Sequence, residues 1–200
     1  MPKVTTKDEF IEELEMFTTS NGKSNITSSF SNSKIRIEET VSDGKGEIFL
    51  DISSYDDEIF FIKIDNTSAH NIGKIQNHND GIVLKVNLNT KNISVFLFEL
   101  KKQLRWSNLK KVSYQLGSSY RFIRYFQLEE CFSVDYSFFI VAKDNNIERD
   151  VDALKTDNKF HTTLFMAIYE KKDTLPILMP LCKHKEFPFR EVKFGETILI

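Results

Sequence analysis

Two carboxylates and a lysine are spaced along the chain as a metal-dependent hydrolase would need them. Asp80 is followed 19 positions later by Glu99-Leu100-Lys101. Mg²⁺ prefers oxygen ligands, usually one or two carboxylates together with waters and phosphate oxygens of the substrate. Such a metal lowers the pKa of a bound water, and a nearby ammonium can orient that water or stabilise charge on the phosphate. These residues therefore predict phosphodiester hydrolysis, with Asp80 and Glu99 as ligands of Mg²⁺ or Mn²⁺ and Lys101 serving the attacking water.

Two predicted strands would bring these side chains together. Gly81 to Asn87 and Ile93 to Leu100 are apolar runs separated by the polar turn 88–92. Side chains alternate along a strand, so Glu99 and Lys101 share one face. If the strands form an antiparallel hairpin, Asp80 at the start of one comes level with Glu99 at the end of the other. We therefore expect the three groups to converge at one edge of a sheet.

This arrangement resembles the PD-(D/E)XK nuclease superfamily, which has the restriction-endonuclease-like fold. Asn79-Asp80 before a strand, and a hydrophobic strand ending in Phe98-Glu99-Leu100-Lys101, are similar to the core signature, with Asn79 in the place of the proline. The next helix, with Tyr114-Gln115-Leu116, resembles the glutamine-bearing helix of the RecB-like and resolvase-like branches. The resemblance implies that Gln115 positions water or substrate, and that Glu12 or Glu13 of the first helix assists the metal. It covers residues 58–140.

The charges of the chain are unevenly distributed. The net charge is -2, yet residues 101–128 hold seven basic residues and no acid, whereas residues 1–60 hold thirteen acids and six bases. Phosphate binding depends on such basic clusters, so we expect a nucleic acid partner. For a nuclease of the kind that the resemblance implies, we expect DNA rather than RNA as the substrate. The expected nucleic-acid-binding residues are Lys102, Arg105, Lys110, Lys111, Arg121 and Arg124. Trp106, Tyr114 and Tyr125 could stack on bases, although aromatic side chains of a helix are more often packed.

The remaining pattern predicts an α/β fold with a mixed central sheet flanked by helices and extra C-terminal strands. Thr6-Lys7-Asp8-Glu9 is typical of a capping box and predicts a first helix. A second helix, capped by Ser107, is expected to bury Leu109, Val112, Leu116, Tyr120 and Ile123. The predicted strands are 34–41 and 47–53, which form a hairpin, then 58–65, 81–87, 93–100 and 137–142, and a closing strand at 197–200. Residues 147–159 read as a charged connection, and 162–169 as a strand or a short helix.

We expect one nuclease-like domain over residues 1–200, with a core at 58–140 and a C-terminal extension at 160–200. The apolar runs are too short for a membrane helix and the start is acidic, so a soluble cytoplasmic protein without membrane contact is predicted. Cys131 and Cys182 are too few for a disulfide framework. Cys182-x-His184 lacks the second ligand pair of a zinc site, and the seven glycines form no phosphate loop or dinucleotide motif.

Three functions remain open from the sequence. The first is a Mg²⁺-dependent endonuclease or exonuclease, acting in restriction, repair, or phage and mobile-element defence. The second is a non-catalytic module on the same fold that binds nucleic acid or a protein. The third is a partner subunit that uses the acidic first helix and the Phe-rich C-terminal part, where some of Phe187, Phe189 and Phe194 would be exposed. A homodimer is open in each case.

Overall fold

A computed structural model describes residues 4–18, 26–28, 33–41, 44–52, 57–63, 80–156, 159–177 and 185–200. In chain order the elements are α1 (Lys7–Thr18), β1 (Ile26–Thr27), β2 (Lys34–Val41), β3 (Gly44–Asp51), β4 (Glu58–Ile62), β5 (Gly81–Asn87), β6 (Asn92–Leu104), α2 (Trp106–Tyr125), β7 (Ser133–Asn145), α3 (Lys159–Tyr169), β8 (Thr174–Ile177), β9 (Lys185–Lys193) and β10 (Thr197–Leu199). Two 3₁₀ segments, Leu128–Glu130 and Ile147–Thr156, flank β7.

The larger sheet has seven strands in the order β1-β4-β5-β6-β7-β9-β8. Strands β4, β5 and β6 are antiparallel neighbours, whereas β6, β7 and β9 run parallel. Helix α2 makes the connection from β6 to the parallel β7, as such a connection between parallel strands requires. The sheet is therefore mixed, and the long strands β6 and β7 lie at its centre.

A second sheet, of order β10-β3-β2, covers one face of the larger one. Ile37 of β2 and Leu50 of β3 pack in one apolar cluster with Phe98 and Val141 of the larger sheet. The other face packs against the helices through a larger cluster that includes Phe10, Leu116 and Phe165. The fold is thus three layers, helices on a mixed sheet on a small sheet, and the predicted α/β class with helices against a mixed sheet is confirmed.

The first helix begins as the capping box predicts. The Glu9 amide donates to Thr6 Oγ1 at 3.2 Å, and the Thr6 amide donates to Glu9 Oε2 at 3.0 Å. Phe10 and Leu14 are fully buried on its inner side, and the Phe10 ring lies 5.0 Å from the Phe60 ring. Local capping thus sets where this helix begins, whereas its inner side is buried by residues distant in the sequence, such as Phe60.

The second helix begins one residue before its predicted cap. Its N-cap is Arg105 rather than Ser107, and the Trp106 amide donates to Asp150 Oδ2 at 2.8 Å. The cap is supplied by a residue 44 positions away, which a local sequence pattern does not reveal. The predicted apolar stripe is confirmed, since all five of its residues are buried: Leu109, Val112, Leu116, Tyr120 and Ile123.

Other boundaries also differ from the sequence-based expectations. Strand β6 continues past Lys101 to Leu104, because β7 pairs with it as far as Asn145. The connection at 147–159 contains a 3₁₀ helix, and 162–169 belongs to the helix α3. The predicted hairpin of β2 and β3 is confirmed, although β3 spans Gly44–Asp51 and not 47–53, and the closing strand β10 ends at Leu199. None of the helices in the described ranges has the length and apolar character that crossing a membrane requires.

Candidate functional site

Asp80 lies beside Glu99 at the point where β5 begins. Gly81, the first residue of β5, pairs with Phe98 of β6. Asp80, which directly precedes β5, therefore lies opposite Glu99. The Asp80 amide donates to Phe98 O at 2.9 Å, and the Leu100 amide donates to Asp80 Oδ2 at 2.6 Å. These two hydrogen bonds hold the aspartate in the place that the predicted hairpin gives it.

Both carboxylates belong to the helix-facing side of the sheet. Ile82 of β5 and Leu97 of β6 pack in the cluster under the helices, and side chains alternate along each strand. Asp80 and Glu99 lie two positions from these residues and so continue the same face. The Glu99 side chain is 0% exposed, which places a charged group within the largely apolar layer between the sheet and the helices.

Lys101 supplies the positive charge for this buried carboxylate. Its Nζ contacts Glu99 Oε1 and also donates to Leu100 O at 3.0 Å. The Lys101 side chain is 16% exposed, so the ion pair runs from the protein interior toward solvent. A charged group without water is costly unless paired, and the ammonium meets this requirement.

The solvent end of Lys101 opens into a cleft between β6 and α2. The cleft has a volume of about 440 Å³ and is lined by Lys101, Asn108, Lys111, Tyr114 and Gln115. The four helical residues recur at intervals of three, four and seven, which places them on one side of α2. Asn108 also donates from Nδ2 to Gln103 O at 2.8 Å, which fastens the start of the helix to the end of β6. The structure therefore brings the predicted residues Lys101, Lys111 and Gln115 to one cleft.

The aromatic residues that were predicted to stack on bases differ in exposure, and of these Tyr114 lines the cleft. Tyr114 is 47% exposed, whereas Trp106 is buried and its ring lies 5.7 Å from that of Phe165. Of the three aromatic residues considered for stacking, Tyr114 is thus open to a ligand, Trp106 is core, and the Tyr125 side chain lies outside the described residues. Asn108 was missed, although its position seven residues before Gln115 is a signal for the same helical face.

The expected nucleic-acid-binding residues are distributed over more than this cleft. Lys102 and Arg105, near the end of β6, and Lys111 and Arg121, on α2, are all exposed. Arg121 Nη2 lies 3.5 Å from Ser118 Oγ. The side chain of Lys110 lies outside the described residues.

Arg124 has an acidic partner that the basic window did not include. Its Nη2 lies 2.9 Å from Glu129 Oε2, just beyond the acid-free stretch. Tyr136 lies within hydrogen-bond distance of Glu129 Oε1, and burial together with the Glu129 carboxylate raises the pKa of the Tyr136 hydroxyl far above its usual range. Arg124 is therefore part of a local polar group at the end of α2.

The first helix begins at the other end of β5 from Asp80. Lys7 Nζ lies 2.5 Å from Glu58 Oε2, and Glu58 pairs with Val86 near the end of β5. Glu12 is exposed and Glu13 is half-buried on this helix. Their assistance to a metal stays a prediction, and Asn79 lies outside the described residues.

The donor set around Glu99 fits Mg²⁺ held by few protein ligands. The Lys101 ammonium contacts both Glu99 Oε1 and Leu100 O, which shows that two oxygens meet a cation there, beside the Asp80 carboxylate. In the described part of the chain no group of three or more His, Cys, Asp or Glu side chains is arranged to bind a metal. Mg²⁺ commonly keeps several waters and uses one or two carboxylates, so Asp80 and Glu99 would be the protein ligands of such an ion.

Comparison with known proteins adds no information on function, so any functional proposal depends on the geometry described above. No protein-family model, no curated protein and no solved structure matches the chain.

Proposed function

We propose that the chain is a Mg²⁺-dependent nuclease with a restriction-endonuclease-like core, which hydrolyses phosphodiester bonds of DNA rather than RNA. The observation that carries the proposal is the placement of Asp80 opposite Glu99, with Lys101 leading from Glu99 to a basic cleft. A buried ion pair is not needed to hold such a sheet together, since apolar residues of similar volume serve at least as well. A chemical role would account for its presence.

The connectivity around the site supports the resemblance to the PD-(D/E)XK superfamily. Strands β4, β5 and β6 form an antiparallel series, and α2 then leads to β7, which is parallel to β6. Asp80 directly precedes β5, Glu99 and Lys101 lie within β6, and Gln115 lies on the helix that follows. Two strands joined by a turn and followed by a helix form the order on which the resemblance rests.

In this function Asp80 and Glu99 would hold the metal through their carboxylates. When bound, Mg²⁺ would supply a water of lowered pKa and would neutralise charge on the phosphate oxygens. Lys101 would orient the attacking water or stabilise the same charge, because its ammonium already lies between Glu99 and the cleft. Gln115 would position substrate or water from the helix side, and Lys111 would bind a phosphate at the rim of the cleft.

The test measures cleavage of plasmid DNA, linear duplex DNA and single-stranded DNA in the presence of Mg²⁺, Mn²⁺ or EDTA. We expect metal-dependent cleavage by the wild type and none by Glu99→Gln, which removes the charge but preserves the shape of the side chain. Glu170→Gln is a matched control, because Glu170 also pairs with a lysine two positions away, at 2.9 Å, on a different surface. Equal cleavage by the wild type and Glu99→Gln would refute the assignment.

A non-catalytic nucleic-acid-binding module on the same fold is the second candidate. The observation that favours it is that Lys101 already neutralises Glu99, as a purely structural pair would. It predicts salt-sensitive binding and no metal-dependent cleavage of any substrate.

The third candidate function, a protein-interaction subunit, depended in part on exposed phenylalanine rings near the C-terminus, and one of these rings is buried. Phe187 is 3% exposed, and its ring packs 4.7 Å from Phe138 and 5.0 Å from Tyr120. Phe189 and Phe194 are partly buried against the two apolar clusters. The expectation that some of these rings are exposed for a partner is therefore wrong for Phe187, because the parallel pairing of β7 and β9 carries this segment into the core.

A further inference from the structure

Tyr114 gives the cleft a flat aromatic surface that solvent can reach. In the described part of the chain, Tyr114, Tyr169 and Leu199 are the large apolar side chains that are exposed. Tyr114 differs from the other two because it lines the cleft that holds Lys101 and Gln115. Exposed aromatic rings beside basic groups are the elements from which stacking sites for nucleic acid bases are built.

The charges of the cleft suit one phosphate group beside that ring. Lys101 and Lys111 are the charged members of the described lining, and both are positive. Asn108 and Gln115 add side-chain amides, which donate and accept hydrogen bonds. A ligand with a negative group, polar edges and an aromatic face would thus be matched by the two lysines, the two side-chain amides and the tyrosine ring of the cleft.

The size of the cleft favours a single nucleotide over a base pair. Its volume of about 440 Å³ lies in the lower part of the range for pockets that enclose small ligands. The face of a base inside a duplex is covered by its neighbours, whereas an unpaired base can be turned out and stacked on a side chain. Tyr114 can therefore meet a base only where the strand is unpaired.

We propose that the cleft binds an unpaired nucleotide of a single strand, with its base stacked on Tyr114 and its phosphate between Lys101 and Lys111. This inference rests on the proposed function and defines its substrate as single-stranded nucleic acid or the unpaired end of a duplex. In this position the bound nucleic acid strand lies beside Lys101, at the solvent side of its ion pair with Glu99. A phosphodiester would have to lie there for Lys101 to act on it.

The test measures binding without cleavage, so that it does not depend on activity. A fluorescently labelled single-stranded DNA of 20 nucleotides and a duplex DNA of the same length are titrated with the full-length protein in EDTA at low salt. Binding is followed by fluorescence anisotropy. The variants are Tyr114→Ala, Tyr114→Phe and Tyr169→Ala. Tyr169 is a matched control because it is 46% exposed and its ring stacks on Phe165, away from the cleft.

We expect the wild type to bind the single strand more tightly than the duplex. Tyr114→Ala should lose about 5- to 150-fold in affinity for the single strand, the range seen when one stacking aromatic is removed, while Tyr114→Phe and Tyr169→Ala bind as the wild type does. Equal binding of the two substrates, or an undiminished affinity of Tyr114→Ala, would overturn the inference and leave the proposed nuclease function standing. If the wild type binds neither substrate, the inference fails as well, and the cleavage assay in Mg²⁺ decides the proposed function separately.

Discussion

The ion pair of Lys101 and Glu99 can be tested for its contribution to stability separately from any activity. The change is Lys101→Met, which keeps the length of the side chain and removes its charge. The Glu99 carboxylate is 0% exposed, so the variant takes away the cation that faces a buried anion. We expect a marked loss of stability, since water cannot replace the ammonium at that depth.

The magnitude follows from the burial of the two side chains. At an ordinary ammonium–carboxylate distance of about 2.8 Å and an effective dielectric constant of about 20, the attraction is about 6 kcal/mol, part of which is offset by desolvation. Removing one partner of a buried pair costs about 3–5 kcal/mol. Because the Lys101 side chain is 16% exposed, some water can approach, and we expect about 3 kcal/mol. For a chain of this length that lowers the melting temperature by about 6–12 °C.

The assay is urea denaturation of four proteins that form a double-mutant cycle. These are the wild type, Lys101→Met, Glu99→Gln and the double variant, in which neither residue of the pair carries a charge. We expect the double variant to lie within about 1 kcal/mol of the wild type, which requires a coupling energy of at least about 2 kcal/mol between the two sites.

Lys172→Met is the control for this cycle. It breaks the exposed pair with Glu170, whose spacing is the same, and should change stability by less than about 1 kcal/mol. If Lys101→Met were as stable as this control, the carboxylate would not depend on the ammonium, and the reasoning about the buried charge would be refuted.

Three further predictions concern the metal, the first helix and the hairpin. At 10 mM Mg²⁺ and a dissociation constant of about 1 mM, binding should add about 1.4 kcal/mol, or about 3–6 °C in melting temperature, and Asp80→Asn should abolish this shift; a rise that persists in the variant would contradict the site. The amide of Thr5 is the main cause that lowers the pKa of Glu9 below its ordinary value of 4.5. The stability that the ionised Glu9 side chain contributes is therefore present above pH 4.5 and is lost as the pH falls through the lowered pKa. Between pH 7 and pH 3 the melting temperature should therefore fall less in Glu9→Gln than in the wild type. A methyl group added in Gly46→Ala would overlap the ring of Phe194, and we expect a loss of about 1–3 kcal/mol in urea denaturation that Phe194→Ala partly restores.

Local patterns in the sequence were enough to predict the elements that depend on neighbouring residues. The capping box predicted the start of α1, and the apolar runs at 81–87 and 93–100 with the polar turn between them predicted the hairpin that sets Asp80 opposite Glu99. Features that depend on distant residues were not accessible in this way. The cap of α2 comes from Asp150, and the length of β6 beyond Lys101 comes from its pairing with β7.

The burial of the candidate site also depends on tertiary structure. The spacing of Glu99 and Lys101 shows that they share a face, but it does not show that the carboxylate is fully buried, since that depends on how α2 lies over the sheet. In the same way, Tyr114 and Trp106 are equivalent in sequence as aromatic residues of a basic helix. Only the packing of Trp106 against Phe165 separates the core residue from the accessible one.

The small sheet has a consequence for the order in which the protein can fold during synthesis. Strand β10 pairs with β3, so Thr197 must find Phe49 across most of the length of the chain. Ile198 covers part of the apolar cluster formed by Phe98 and Leu100, on the reverse side of the strand that carries Glu99. A growing chain can assemble the hairpin of β5 and β6 early, but we expect this apolar face to stay partly uncovered until β10 has been made. The nascent protein would therefore be most prone to aggregation at that stage, when a chaperone would have the largest effect on its yield.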